Sequence, residues 1–261
     1  MCIRDRFLFV RGHPKLDDLG PALPRDQWTL VEAVRFQAKT QGDRQFLSFE
    51  NGDQISFREF DYQTDCLASG LAKVGLKVGD RLFALLTNSC EFMLLMIAAQ
   101  KLGAIFVPIN TELRGIFLEH QLRNSSPSVV AVDDGLIDRF EGIDTSGAPI
   151  STVIMVSDEE KPMSGLPSSL SNATQMRFES LIDSKPNAEA MHDTRPEDIC
   201  TIMYTSGTTG PAKGVVMPQG HCYLFALGTI AAMELTSNDR YFCCMPLFLS
   251  LIHISEPTRP Y

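Results

Sequence analysis

The sequence has 261 residues, 44% of them hydrophobic and 21% charged, the balance of an ordinary globular protein able to bury a sizeable core. Its formal net charge of −9 excludes a broad nucleic-acid-binding surface, because phosphate backbones demand basic patches. Phe92 to Ala99, the longest apolar run, is too short to span a bilayer, and Met1–Arg6 lacks the apolar stretch and small-residue cleavage site of a signal peptide.

From Trp28 the pattern alternates helix and strand. Thr29-Leu-Val-Glu32 is a capping box that predicts a helix to about Thr40, stopped by Gly42. Phe46–Phe49 and Gln54–Phe57 flank Asn51-Gly52 and read as a hairpin. Ser56-Phe-Arg-Glu59 opens a second helix that ends near Gly75. Arg81–Leu86 is a strand, after which Asn88 or Ser89 caps a helix stopped by Gly103. That helix is apolar on nearly every face, which implies burial between layers. Strand Ile105–Val107, helix Leu113–Arg123, strand Ser128–Val132, a short helix at Leu136–Phe140 and strand Thr152–Val156 follow. Ser157–Ser171 reads as a surface loop, Phe178–Ile182 as a short helix and Asp183–Asp198 as a polar connection. The alternation predicts an α/β fold with a doubly wound, mostly parallel sheet and flanking helices.

The seven cysteines, at positions 2, 66, 90, 200, 222, 243 and 244, include no C-x-x-C pair. They read as buried, reduced thiols, which with the lack of a membrane or export segment predicts a cytoplasmic protein. The two ends form a pair of their own. One nucleotide string can encode Met1–Arg6, and its reverse complement can encode Leu249–Ile254. The string resembles a transposase adapter used to prepare sequencing libraries, and Ser255–Arg259 fits its continuation. Residues 1–6 and 249–261 are therefore expected to be adapter-derived tails, outside fold reasoning, and His253 carries no catalytic expectation.

The most informative stretch is Tyr204-Thr-Ser-Gly-Thr-Thr-Gly-Pro-Ala-Lys-Gly214, a turn between strands at Ile199–Tyr204 and Gly214–Met217. Glycines at 207, 210 and 214 would let backbone N–H groups approach a ligand with no Cβ in the way. Thr205, Ser206, Thr208 and Thr209 add short hydroxyl donors, and such a turn makes a concave nest for an anion. Lys213 supplies a point charge suited to phosphate oxygens. The stretch is not a Walker A loop, because Lys213 follows Ala212 and precedes Gly214.

That stretch resembles the signature of the adenylate-forming superfamily, the AMP-dependent synthetases and ligases. The group includes acyl-CoA synthetases, adenylation domains of nonribosomal peptide synthetases, and luciferases. Gly79–Phe92, Lys101–Asn110 and Asp239–Phe248 match further family segments in order and spacing, so the resemblance covers about Trp28 to Phe248. Two positions depart from the pattern. Leu249 stands where the family usually has His after Pro-Leu-Phe, and Pro218-Gln219 stand where Thr-His is common. His221 is expected to be a solvent-facing residue near a helix start.

The resemblance implies that residues 28–248 are part of an AMP-binding large domain, with 7–27 an N-terminal extension and the C-terminal lid domain absent. It implies activation of a carboxylic acid by ATP as an acyl-adenylate, then transfer to the thiol of coenzyme A, with Mg2+ sharing the phosphate charge. Thr205, Ser206, Gly207, Thr208, Thr209, Gly210 and Lys213 would hold the ATP phosphates, and no metal ligand is assigned. The catalytic segments would follow Phe248, so the chain as written is not expected to complete the reaction alone. An adenylation domain that loads a carrier protein, or a non-catalytic protein that keeps the fold, are the alternatives. The general look is of small- to medium-acyl or carnitine-type CoA ligases. The expected partners are small molecules, with no nucleic acid and no transmembrane segment; the oligomeric state is left open.

Overall fold

A computed structural model describes residues 23–157, 162–205, 211–243 and 245–249. In chain order the elements are α1 (Leu30–Gln41), β1 (Gln45–Ser48), β2 (Gln54–Ser56), α2 (Phe57–Lys73), β3 (Arg81–Leu85), α3 (Cys90–Lys101) and β4 (Ile105–Pro108). Then come α4 (Gly115–Ser125), β5 (Val129–Asp133), β6 (Thr152–Val156), β7 (Thr174–Arg177), α5 (Glu179–Ile182), β8 (Ile199–Tyr204), β9 (Gly214–Pro218) and α6 (Gln219–Ala232).

Helix starts follow the hydroxyl caps. The side chains of Thr29, Ser56 and Ser89 accept from the backbone N–H of Glu32, Glu59 and Phe92 and satisfy donors that the first turn leaves unpaired. Ser89 is thus the cap of α3. Asn88 instead accepts from the Leu247 N–H at 2.7 Å and donates to the Met245 carbonyl at 3.0 Å.

The main sheet has the order β7-β6-β5-β3-β4-β8-β9. All neighbours are parallel except β9, which runs antiparallel to β8. β1 and β2 form a separate hairpin. Side chains alternate along each central strand and supply two cores. Leu82, Ala84, Phe106, Ala131 and Ile154 pack on one face with α2 and α3. Phe83, Leu85, Val107, Val130 and Val132 pack on the other with Leu118 and Leu122 of α4. Burial on both faces is why these strands read as continuous apolar runs. The doubly wound α/β expectation therefore holds, and α3 is buried as its all-round apolarity requires, with Phe92, Leu95, Ala98 and Ala99 at 3% exposure or less.

Local expectations differ in three places. Residues 134–140 form a 3-10 helix rather than an α-helix turn. β7 falls in a stretch whose sequence gave no strand signal, because Thr174-Gln-Met-Arg177 is a half-exposed edge strand with no apolar alternation. The cysteines are not uniformly buried: Cys66, Cys200 and Cys222 are, Cys90 is half-buried and Cys243 is exposed. No helix among the described residues is long and apolar enough to cross a membrane.

Candidate functional site

β8 and β9 pair in the register Tyr204↔Gly214, Met203↔Val215 and Ile202↔Val216. One step beyond, the backbone N–H of Thr205 donates to the Lys213 carbonyl at 3.1 Å and closes the hairpin. Thr205 and Lys213, which bound the hydroxyl and glycine run, are therefore fixed to each other. Because β8 is parallel to β4, and β4 to β3 and β5, Thr205 and Lys213 stand at the carboxyl edge of the sheet. Open α/β sheets bind ligands at that edge. Of the predicted phosphate-holding residues, Thr205 and Lys213 are placed at the two ends of the loop, Lys213 with its side chain exposed. Ser206, Gly207, Thr208, Thr209 and Gly210 lie outside the described residues.

Gly214 has a packing reason. A Cβ there would stand 2.8 Å from Ile202 Cγ2 and 3.5 Å from the Tyr204 ring. The glycine makes room for cross-strand neighbours within β8.

Helix α4 braces the hairpin from one side. The Tyr204 hydroxyl donates to Asn124 Oδ1 at 2.7 Å and lies 3.2 Å from the Gln121 carbonyl. Burial pushes the Tyr204 phenol up to about 12, so at neutral pH it remains a donor. His120 Nε2 sits 2.9 Å from the Ala212 carbonyl, a contact that requires the proton on Nε2. Both flanks of the loop are thus tied to one helix. Reasoning from sequence missed His120 and Asn124; they lie at ordinary surface positions of a predicted helix, and only folding brings them to the loop. Beside them Arg123 is held by Asp144 at 3.3 Å and Glu119 at 3.7 Å, so its charge is already partly offset.

The segments that carry the family resemblance converge behind the hairpin. A cavity of about 210 Å³ is lined by Phe92, Phe106 and Pro108, Met203 and Leu247, residues drawn from all four stretches or their immediate neighbours. At the same edge Asp133, at the end of β5, accepts from the Thr87 N–H at 2.7 Å. Burial raises its carboxyl above the usual range despite that hydrogen bond.

Position 219, where the sequence departs from the family, is structural. The Gln219 side chain is buried; its Oε1 accepts from the Leu30 N–H at 2.9 Å and its Nε2 donates to Gln100 at 3.2 Å, linking α6 to α1 and α3. His221, in the first turn of α6, is exposed and lies against the Phe225 ring, as expected.

Comparison with known proteins fits this geometry. Residues 34–258 match the family model described as AMP-binding enzyme. The chain is 30% identical over 221 residues to a 2-succinylbenzoate–CoA ligase of Bacillus velezensis, covering 84% of this chain and 39% of that protein. It is 29% identical over 231 residues to the medium/long-chain-fatty-acid–CoA ligase FadD6 of Mycobacterium tuberculosis, covering 87% of this chain and 35% of that one. A long-chain-fatty-acid–CoA ligase from Archaeoglobus fulgidus shares the fold, with a TM-score of 0.71 at 24% identity over 87% of this chain and 44% of its own. The chain thus spans about two fifths of the length of the curated relatives it matches.

Proposed function

The chain belongs to the AMP-binding enzyme family, and from that premise we propose that it forms the ATP-phosphate-holding part of an AMP-forming acid–CoA ligase. In the complete protein a carboxylate attacks the α-phosphorus of ATP, pyrophosphate leaves and an acyl-adenylate forms. The thiol of coenzyme A then takes the acyl group and AMP is released. The first step needs the β- and γ-phosphates held, and their charge offset, while the α–β bond breaks.

Thr205, Ser206, Gly207, Thr208, Thr209, Gly210 and Lys213 are the residues assigned to that grip. Hydroxyls and backbone N–H groups of the loop would donate to phosphate oxygens, and Lys213 would add the cation that an acidic protein must supply locally. None of these residues acts as nucleophile or base. Among the described residues no group of three His, Cys, Asp or Glu side chains is placed to hold a metal ion. Magnesium would share the phosphate charge. The observation that supports the reading is the hairpin closure: the Thr205 N–H to Lys213 carbonyl bond fixes the two residues that bound the hydroxyl run at the carboxyl edge of the sheet.

The named substrates of the relatives, 2-succinylbenzoate and medium- to long-chain fatty acids, share a carboxylate on a largely apolar frame. The acid proposed here is of that class, and the location proposed is the cytoplasm, where ATP and coenzyme A are at hand. ATP–pyrophosphate exchange by the complete protein, measured over a panel of such acids, tests the proposal. Acid-dependent exchange is expected; a folded protein that shows none with any acid and does not take up ATP overturns it.

A further inference from the structure

Cys200 and Cys222 face each other across the base of the hairpin. Between Ile199↔Pro218 and Thr201↔Met217 the β8–β9 register shifts, and Cys200 sits at that irregularity. Such a bulge re-aims a side chain. β9 ends at Pro218 and α6 begins at the next residue, so Cys222 falls in the first turn of α6, directly over Cys200. The two sulfurs stand 3.3 Å apart, and Cys200 Sγ also lies 3.3 Å from the Met217 carbonyl. Both thiols are reduced, at 1% and 7% exposure, in a small cluster with Met203 and Met217. A disulfide needs the sulfurs at about 2.05 Å, so an approach of roughly 1.2 Å completes one.

We propose that Cys200 and Cys222 form an oxidation site, a dithiol that hydrogen peroxide or a small organic hydroperoxide converts to an intrachain disulfide. Cys222 lines the apolar cavity of about 210 Å³, which is several times the space a water-sized oxidant requires. The neighbouring sulfur of Cys200 holds the Cys222 thiol below its ordinary value, while the same contact and burial keep Cys200 protonated. Cys222, and not Cys200, lines that cavity, so Cys222 is the attacking group. By contrast, burial pushes the thiols of Cys66 and Cys90 up, that of Cys90 to about 12.

In the first step the Cys222 thiolate attacks one peroxide oxygen. The S–O bond forms, the O–O bond breaks, and the departing hydroxide takes up the proton that Cys222 released, leaving Cys222 as a sulfenic acid. In the second step the Cys200 sulfur attacks the Cys222 sulfur. The S–S bond forms, the S–O bond breaks, and the leaving hydroxide combines with the Cys200 proton. The two thiols together lose two electrons, and one hydrogen peroxide becomes two waters, or one organic hydroperoxide becomes an alcohol and a water. The new bond closes a covalent ring that contains the whole 205–213 loop. The pairing does not depend on what that loop binds.

The test uses the intact wild-type chain. Reduced protein is exposed to hydrogen peroxide, its remaining thiols are blocked with N-ethylmaleimide in denaturant, and the digest is mapped without reductant. The Cys200 and Cys222 thiols should both be lost, with a linked peptide pair, Cys200 to Cys222, that separates on reduction. The same exposure in urea should abolish the selectivity. Recovery of both cysteines as maleimide adducts, under conditions that consume exposed Cys243, would overturn the proposal. So would linkage of Cys200 to another cysteine, or pairing no more selective in the folded chain than in urea. Cys200→Ala, where it folds, should leave Cys222 trapped as a sulfenic acid that dimedone captures; failure of that capture in a folded variant also counts against it.

Discussion

Lys213 stands exposed where the hairpin re-enters β9, its own carbonyl engaged by the Thr205 N–H. The backbone is thereby fixed while the side chain stays available, which suits a cation meant for a mobile polyphosphate. In the complete protein Lys213→Ala should lower adenylation about 10²–10³-fold, the scale of removing one preorganised charge-stabilising group. Pyrophosphate exchange within about threefold of wild type would remove the role, because a spectator surface lysine costs little. Asp133 offers a second residue-level test. Burial raises its folded carboxyl pKa above an unfolded value of about 3.9. Between the two values the folded state binds the extra proton, so stability falls as pH rises through that window. Asp133→Asn keeps an acceptor for the Thr87 N–H but cannot ionise. Relative to wild type the variant should therefore gain stability from about pH 4 upward and level off above the folded pKa. Urea midpoints across that range check it, and a difference that does not change with pH refutes it.

Elements in this protein are set by local chemistry and then fitted by contact. Helix α2 shows the two in opposition at Gly70. Replacing a mid-helix glycine by alanine ordinarily gains about 1 kcal/mol. Here a Cβ would lie 2.4 Å from the Leu181 carbonyl oxygen of α5, and that backbone cannot yield as a flexible side chain can. Overpacking of this kind costs about 1–3 kcal/mol, so Gly70→Ala should destabilise on balance, read as a lower urea midpoint. A neutral or stabilising result would mean that α5 shifts away freely. The capped starts of α1 and α2 were legible because each depends on residues three apart in sequence, whereas the start of α3 was legible only to within Asn88 and Ser89. β7 was not, since its strand character comes from pairing with β6 rather than from its own side chains.

At the scale of the whole molecule, the helical layer on one face of the sheet is pinned by a buried cation. Lys101 of α3 has no exposed side-chain surface, and its Nζ lies 2.6 Å from both Asp61 Oδ1 and Asp65 Oδ1 of α2. It also reaches the Asp61 carbonyl at 2.9 Å. Removing one partner of a buried charge group costs about 3–5 kcal/mol. Lys101→Ala should fall in that range by equilibrium denaturation, with Lys101→Met less severe because it keeps the stem's volume. A loss below about 1 kcal/mol would show that the carboxylates rehydrate without cost. The opposite end of the sheet is less covered: Val215 and Val216 on β9, Leu224 and Ile230 on α6, and Met233 just after it are 39–52% exposed. Among the described residues β9 is thus an edge strand with apolar side chains open to solvent.

By itself the sequence determined the fold class, the capped helix starts, the central strands and the loop that carries the hydroxyls and Lys213. Those features depend on periodicity, on caps three residues apart and on one contiguous motif, all of which are local in the chain. Tertiary structure alone decided that α4 braces the loop through His120 and Asn124, that Gly214 serves Ile202 and that Gln219 ties three helices together. It also decided that Cys200 and Cys222, with no telling spacing, meet sulfur to sulfur. Each of these is a contact between residues distant in sequence, and such contacts leave no periodic trace; they exist only once the parallel sheet has set its strands side by side.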